Sequence, residues 1–136
     1  MKIDGLTARD LMSQDVVLAK PHESLRTAIG RMRERGIHSL LVAPDAPSQA
    51  HSILTGKDCI DVLCDAGDDA LDELTVEDAM TRPAITIPSS LCVLDCVRLM
   101  RNAGVRTAPV VDGCELVGIL TFTDVLFACE RRADAD

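Results

Sequence analysis

The sequence predicts an α/β (α+β) protein made of two pseudo-symmetric units, each with the element order β-α-β-β-α. Three observations support this prediction. A pattern of residues in the first half of the chain returns in the second half, in the same order. Amphipathic segments of helical period alternate with short apolar runs that are typical of strands. Glycines stand where several of these segments end, as expected for helix ends and tight turns.

The repeat is visible as three pairs of segments in matching order. They are LTARDLM at 6–12 and LTVEDAM at 74–80, MRERGI at 32–37 and MRNAGV at 100–105, and ILTGKD at 53–58 and ILTFTD at 119–124. The first two pairs are offset by 68 residues and the third by 66, so the last loop of the N-terminal copy is two residues longer. Such self-similarity is the signature of a duplicated structural unit.

The two copies are predicted to span 6–65 and 74–131. The segment between them, 66–73, is acidic and is predicted to be a linker. The longer loop of the N-terminal copy, at 43–52, contains Pro44 and Pro47 and is expected to be irregular.

Each copy is predicted to open with a helical turn and a short strand, followed by an amphipathic helix of about three turns. Gly36 and Gly104 are predicted to end these helices, because glycine adopts the left-handed conformation at little cost. Two strands and a last helix complete each copy, and Asp112-Gly113 is predicted to turn the second hairpin. The predicted strands lie at 16–19, 38–42, 51–54, 84–87, 106–111 and 116–120, and the last helices at 57–65 and 122–131.

Composition argues against several classes of partner. The 136 residues carry a net charge of −8, which disfavours nucleic acid because phosphate binding needs a basic face. Two Phe and no Trp or Tyr leave little for base stacking, so an adenine ring would have to lie between aliphatic side chains. Apolar runs fall short of the roughly 18 residues of a membrane span, and no signal peptide is recognised, so a cytoplasmic location is expected.

The six cysteines are predicted to be reduced apolar side chains, since their spacing matches neither a disulfide framework nor a zinc cluster. Cys92 and Cys96 have helical i, i+4 spacing and would form a metal site only if further ligands came close. No catalytic motif is recognised, so an enzyme is not expected.

At two places an apolar strand is predicted to run directly into a helix. One carries Thr55 and Asp58, and the other carries Thr121 and Asp124. Such a corner combines a hydroxyl, a carboxylate and free helix N–H groups, which could hold a phosphate and a ribose. The alternative is a capping box, in which the threonine and the acid only satisfy the helix end. The opening turns carry the same Thr-x-x-Asp pattern and are interpreted as plain caps.

Three kinds of repeated motif resemble those of the cystathionine-β-synthase (CBS) domain. They are the L-T-x-x-D-x-M openings, the Gly-Ile-His-Ser and Gly-Val-Arg-Thr-Ala-Pro turns, and the Ile-Leu-Thr-x-x-Asp closings. The pair resembles a Bateman module, in which two CBS repeats pack through their sheets. Carried over residue by residue, the resemblance implies ligand contacts from Gly36, His38, Ser39, Thr55 and Asp58, and from Gly104, Arg106, Thr107, Thr121 and Asp124. His38, Arg106 and Lys57 are interpreted either as phosphate contacts or as solvated surface groups.

The resemblance implies a sensor without an obligatory cofactor. It would bind an adenosine-containing ligand such as AMP, ADP, ATP or NAD in clefts between the repeats. Because the sequence contains nothing beyond the two copies, the expected readout lies in a separate effector protein. The apolar residues of the last helices predict a homodimer through these helices. The alternative function is a structural interaction module that dimerises and binds no ligand.

Overall fold

The structure is a computed structural model that describes residues 3–44 and 50–135. Most of the longer loop predicted for the N-terminal copy, at 45–49 and including Pro47, lies outside the described residues.

The described chain has the predicted mixed α/β composition. A 3-10 turn at Ile3–Gly5 precedes the other elements. The helices are α1 (Ala8–Leu11), α2 (Leu25–Arg35), α3 (Gly56–Ala66), α4 (Ala70–Glu73), α5 (Val76–Ala79), α6 (Val93–Ala103) and α7 (Phe122–Ala135). The strands are β1 (Leu18–Ala19), β2 (Ser39–Val42), β3 (Ser52–Thr55), β4 (Ile87–Pro88), β5 (Thr107–Asp112) and β6 (Glu115–Thr121).

The chain folds into two compact units whose limits differ from those of the sequence repeats. The continuous unit is Val17–Ala84, and the split unit combines Met1–Val16 with Ile85–Asp136. The opening turn of each copy therefore folds with the body of the other copy. Each unit still contains one complete β-α-β-β-α set.

The continuous unit is built on a three-stranded sheet in the order β1-β2-β3, in which β1 runs parallel to β2 and β3 runs antiparallel to it. Helix α2 covers one face, and Leu25, Leu40 and Leu54 are fully buried in the core. Each such side chain contributes about 1.5–3 kcal/mol by leaving water. The opening turn of the C-terminal copy joins the sheet through a bridge between Thr81 and Ile53.

The split unit repeats this plan with the order β4-β5-β6. Its core contains Ile87, Met100 and Leu120, all fully buried. The opening turn of the N-terminal copy reaches β6 through a bridge between Ser13 and Ile119. The two units are thus completed in equivalent ways by equivalent segments of the two copies.

Four local predictions need correction. The first strand of each sheet has only two residues, because its ladder with the neighbouring strand is confined to Leu18–Ala19 and Ile87–Pro88. The hairpin turn is formed by Gly113 and Cys114, since Asp112 pairs with Glu115 after a register shift in β5. The predicted linker contains helix α4, which packs through buried side chains. The last helix continues to Ala135.

The helix ends follow the prediction. Gly36 and Gly104 have φ angles of 65° and 75°, in the left-handed region that costs glycine little. Their N–H groups bond to carbonyls of the preceding turn, which satisfies groups that would otherwise be unpaired at a helix end.

Candidate functional site

In the continuous unit, most of the predicted ligand residues converge on one edge of the sheet. Ser39 begins β2 and lies directly opposite Thr55, the last residue of β3. The chain then turns into α3, and the Gly56 N–H donates to the His38 carbonyl at 2.8 Å. Two hydroxyl side chains, a glycine and the N-terminus of an 11-residue helix therefore meet at this edge. We call it the Asp58 corner, after the carboxylate in the first turn of α3.

The split unit contains an equivalent arrangement. Thr107 begins β5 and lies directly opposite Thr121, the last residue of β6. The Phe122 N–H donates to the Arg106 carbonyl at 3.0 Å as α7 begins. We call this edge the Asp124 corner. Hydroxyl residues therefore face each other in the same register at both helix starts, and Phe122 stands where the Asp58 corner has Gly56.

Both carboxylates cap their own helix. The Thr55 N–H donates to Asp58 Oδ2 at 2.9 Å, and the Asp58 N–H donates to Thr55 Oγ1 at 3.2 Å. The corresponding distances between Thr121 and Asp124 are 3.0 and 3.1 Å. The capping box that the sequence suggested as an alternative is therefore present at both corners. Its presence leaves open a second use of the same side chains, because a carboxylate has two oxygens.

The opening turns also form capping boxes, with one additional hydrogen bond in each. There the threonine hydroxyl donates to the carboxylate, from Thr7 to Asp10 at 3.2 Å and from Thr75 to Asp78 at 3.0 Å. Both acids are exposed, whereas Asp58 and Asp124 are half-buried. Hydrogen bonds from Thr75, first from its backbone and then from its hydroxyl, hold the pKa of Asp78 below its ordinary value.

This contrast determines what each cap can offer a ligand. At the two corners the threonine hydroxyl accepts from a backbone N–H, and no described residue takes the hydroxyl hydrogen. Oδ1 of Asp58 and of Asp124 likewise receives no hydrogen bond from the described residues. Each corner therefore presents one hydroxyl donor and one carboxylate acceptor that the cap leaves available. In the opening turns the hydroxyl hydrogen is used within the cap.

The three predicted cationic groups are placed differently. The side chains of His38 and Arg106 are exposed and form no hydrogen bond or ion pair with any described residue. The Lys57 ammonium is 2.9 Å from the Asp61 carboxylate, one helical turn further along α3. Its hydrogen bond with Asp61 raises the pKa of Lys57 above the ordinary value. Lys57 is therefore engaged along the helix, while His38 and Arg106 are available at the sheet edge.

A groove of about 330 Å³ adjoins the Asp58 corner. Three carboxylates of α3 border it, and its other lining residues are apolar: Asp58, Asp61 and Asp65 stand beside Val62, Ala66, Leu74 and Ala79. Asp61 and Asp65 were not among the predicted site residues. Their spacing of three and seven residues from Asp58 indicates a shared helix face, and that was the available signal.

No metal centre stands out in the part of the chain that the structure describes. No group of three or more His, Cys, Asp or Glu side chains in that part is arranged to hold a metal ion. Burial raises the pKa of the Cys96 thiol to about 11, and its Sγ donates to the Leu91 carbonyl at 3.6 Å. Among the helices of the described ranges, none combines the length and hydropathy that a membrane crossing requires.

The chain matches the family model of the CBS domain twice, at residues 8–65 and 76–131. Because the two matches cover most of the chain, the protein belongs to the CBS domain family, and its two matches form a tandem CBS pair, or Bateman module.

Three known proteins are similar to this chain. MK0525, an uncharacterized protein of Methanopyrus kandleri, is 30% identical over 123 residues, which are 90% of this chain and 62% of that protein. This chain therefore spans less than two thirds of that relative. Hypoxic response protein 1 of Mycobacterium tuberculosis is 29% identical, over 88% of this chain and 82% of its own length. The crystal structure of CBSX2 in complex with AMP has a TM-score of 0.77 and 25% identity, and the match covers 95% of this chain and 99% of that one.

Proposed function

We propose that this CBS pair is a regulatory protein that binds an adenosine-containing ligand, such as AMP, ADP, ATP or NAD, at the Asp58 and Asp124 corners. Ligand binding would alter the surface that the protein presents to a separate effector protein. The proposal assigns no catalytic step to the chain. The AMP complex of CBSX2, a structural relative at 25% identity, supports an adenosyl ligand.

The observation that carries this proposal is the unused hydrogen-bonding capacity at the two corners. A ribose diol can donate to the free Oδ1 of Asp124, and a phosphate can accept from the Thr121 hydroxyl at the positive end of the α7 dipole. Hydrogen bonds to an ionised carboxylate are stronger than neutral ones. The equivalent groups at Asp58 repeat this chemistry once more in the same chain.

A panel of adenosyl ligands tests the proposal directly. Thermal melting of the wild-type protein would be measured with AMP, ADP, ATP and NAD, followed by calorimetry of any ligand that stabilises it. A ligand present at about 100 times its Kd should stabilise the folded state by about 2.7 kcal/mol. Guanosine monophosphate is the matched control, because it keeps the ribose and phosphate and changes only the base. No stabilisation by any adenosyl ligand would contradict the proposal.

A second candidate function is an interaction module without a ligand, and the exposed apolar side chains of the last helices favour it. Ile60 on α3 is 55% exposed, and Leu126 and Phe127 on α7 are 66% and 60% exposed. Leu126 and Phe127 are adjacent on α7, and an exposed apolar patch of this kind usually marks an interface. Both candidate functions include a homodimer that covers these residues, but only the first requires ligand binding.

Light scattering over a range of concentrations tests the homodimer. The expected result is a mass near twice the 14.6 kDa of the chain. Replacing Leu126 and Phe127 by Gln should shift the equilibrium towards the monomer, while the same change at exposed Leu18, outside these helices, should not. A wild-type protein that remains at 14.6 kDa at all concentrations would contradict the homodimer.

A further inference from the structure

We infer that the two corners select adenosyl ligands of different charge. The Asp124 corner takes a ligand whose 5′ substituent is anionic, such as a phosphate, and the Asp58 corner takes one whose 5′ substituent is uncharged or cationic. This inference rests on the proposed function and narrows it. The nucleotides named there all carry a 5′ phosphate and would occupy the Asp124 corner, and the Asp58 corner would take an adenosyl compound without a phosphate.

The duplication allows the two helices to be compared position by position. With Asp58 aligned on Asp124, Asp61 corresponds to Phe127, and Asp65 corresponds to Arg131. Residues three and seven positions apart share a helix face. These replacements therefore lie on the same face as Asp58 in α3 and as Asp124 in α7. The Asp58 side of α3 therefore has two further carboxylates where α7 has an aromatic ring and a guanidinium.

The contacts of α3 place these carboxylates beside the ligand corner. Asp58, Asp61 and Asp65 border one groove of about 330 Å³. Lys57 pairs with Asp61 at 2.9 Å and offsets one of the three negative charges. No described residue forms an ion pair with Asp65. A 5′ substituent that enters this groove from the Asp58 corner would meet a net negative wall and an apolar floor.

The Asp124 corner has the opposite balance. Arg106 is exposed there without a partner among the described residues, and the N-terminal copy has His38 at the same place. A guanidinium can donate two parallel hydrogen bonds to a phosphate, whereas an imidazole ring presents its N–H donors singly. Arg131 is exposed on α7. Glu130, the next acidic residue after Asp124 on this helix, is six positions further on and therefore lies on a different face of α7. A phosphate at this corner would meet cationic groups.

The expected size of the effect follows from Coulomb's law in a solvated site. Two unit charges at about 8 Å interact by a fraction of a kcal/mol in water, and salt reduces this further. A phosphate carries about two charges and meets several groups at each corner. The preference for or against it should therefore be on the order of tenfold in affinity at low salt.

Three probes and two variants test the assignment by calorimetry. The probes are AMP, which is anionic, 5′-methylthioadenosine, which is uncharged, and S-adenosylmethionine, which carries a sulfonium. Asp124→Ala leaves the Asp58 corner as the intact site, and Asp58→Ala leaves the Asp124 corner. Asp124→Ala should bind AMP at least about tenfold more weakly than the other two probes, and Asp58→Ala should show the reverse order. Melting curves of both variants, beside Asp10→Ala and Asp78→Ala, verify that each remains folded.

The second experiment exchanges the charged side chains of α3 for the residues found in α7. Asp61→Phe with Asp65→Arg, in the Asp124→Ala background, gives α3 the side chains of α7 at these two positions. This variant should gain about tenfold in affinity for AMP. If Asp58→Ala and Asp124→Ala rank the three probes identically, the charge assignment is wrong and the proposed function stands. If the wild-type protein binds none of the probes, both are wrong.

Discussion

The substitution Asp124→Ala separates a ligand carboxylate from a carboxylate that only caps a helix. In the folded protein Asp124 Oδ2 accepts the Thr121 N–H at 3.0 Å, and Oδ1 has no donor among the described residues. If Oδ1 accepts the ribose hydroxyls, the variant loses hydrogen bonds to a charged group, which contribute about 1.5–3 kcal/mol each. A loss of roughly 2–3 kcal/mol in binding corresponds to about 30–150-fold in the Kd at this corner.

The same substitution also removes a helix cap, so its effect on stability has to be measured separately. Loss of the cap should lower the free energy of unfolding by about 1 kcal/mol. Asp10→Ala is the matched control, because Asp10 caps α1 within the same unit and receives the Thr7 N–H at 2.9 Å. This control should lose similar stability and keep wild-type affinity, since Asp10 is exposed and is not one of the residues that form the Asp124 corner.

The assay is calorimetry of the wild type and both variants with AMP, ATP and NAD, together with melting curves. Asp78→Ala provides the corresponding control for the continuous unit. The reasoning is refuted if Asp124→Ala binds with the affinity and stoichiometry of the wild type while it loses as much stability as Asp10→Ala. In that case Asp124 is a cap alone.

Three further predictions concern the framework around the corners. A β-carbon at position 118 would lie 2.5 Å from Met12 Sδ and 2.8 Å from the Ser13 carbonyl oxygen. Gly118→Ala should therefore lower the free energy of unfolding by about 1–3 kcal/mol, measured by chemical denaturation. An unchanged denaturation midpoint would show that the opening turn does not pack there. Burial acts to raise the pKa of Glu23, but hydrogen bonds from a backbone N–H and from Arg31 outweigh it and lower the pKa below 4.5. The stability that Glu23 contributes is therefore present above its unfolded pKa and is lost as the pH falls through its folded pKa. Glu23→Gln should reduce the change in the free energy of unfolding across this acidic range, by less than about 1 kcal/mol. Neither a reducing agent nor a chelator should change the melting temperature if the cysteines are reduced and metal-free, and a large loss of stability in chelator would instead indicate a structural metal.

The features that local sequence predicted are those whose interactions close within one helical turn. Gly36 and Gly104 end their helices in the left-handed conformation, as their position after an amphipathic segment indicated. The Thr-x-x-Asp pattern indicated capping boxes, as the alternative to a ligand site at the two corners, because its two hydrogen bonds join residues three apart. The duplication was also readable, since it requires only that two segments of the same chain be compared.

The tertiary structure decided how these local pieces are shared between the two units. The pairing of Ser13 with Ile119 and of Thr81 with Ile53 gives each opening turn to the body of the other copy. Nothing in the residues of either opening turn specifies this exchange, because both turns have nearly the same sequence. It depends on which sheet edge each segment reaches, and that is a property of the folded chain.

The same distinction applies to the candidate site. The sequence by itself determined that two corners carry a hydroxyl and a carboxylate, and that the opening turns carry the same pattern. Only the folded chain separated the two classes of cap: the Thr55 and Thr121 hydroxyls accept from a backbone N–H, whereas the hydroxyls of the opening turns donate to a carboxylate. Lys57 pairs with Asp61, four residues further along α3, a contact that helical spacing indicates once the start of the helix at Gly56 is known. The hydrogen-bonding groups left for a ligand are those that remain after these contacts have formed, and sequence spacing alone does not identify them.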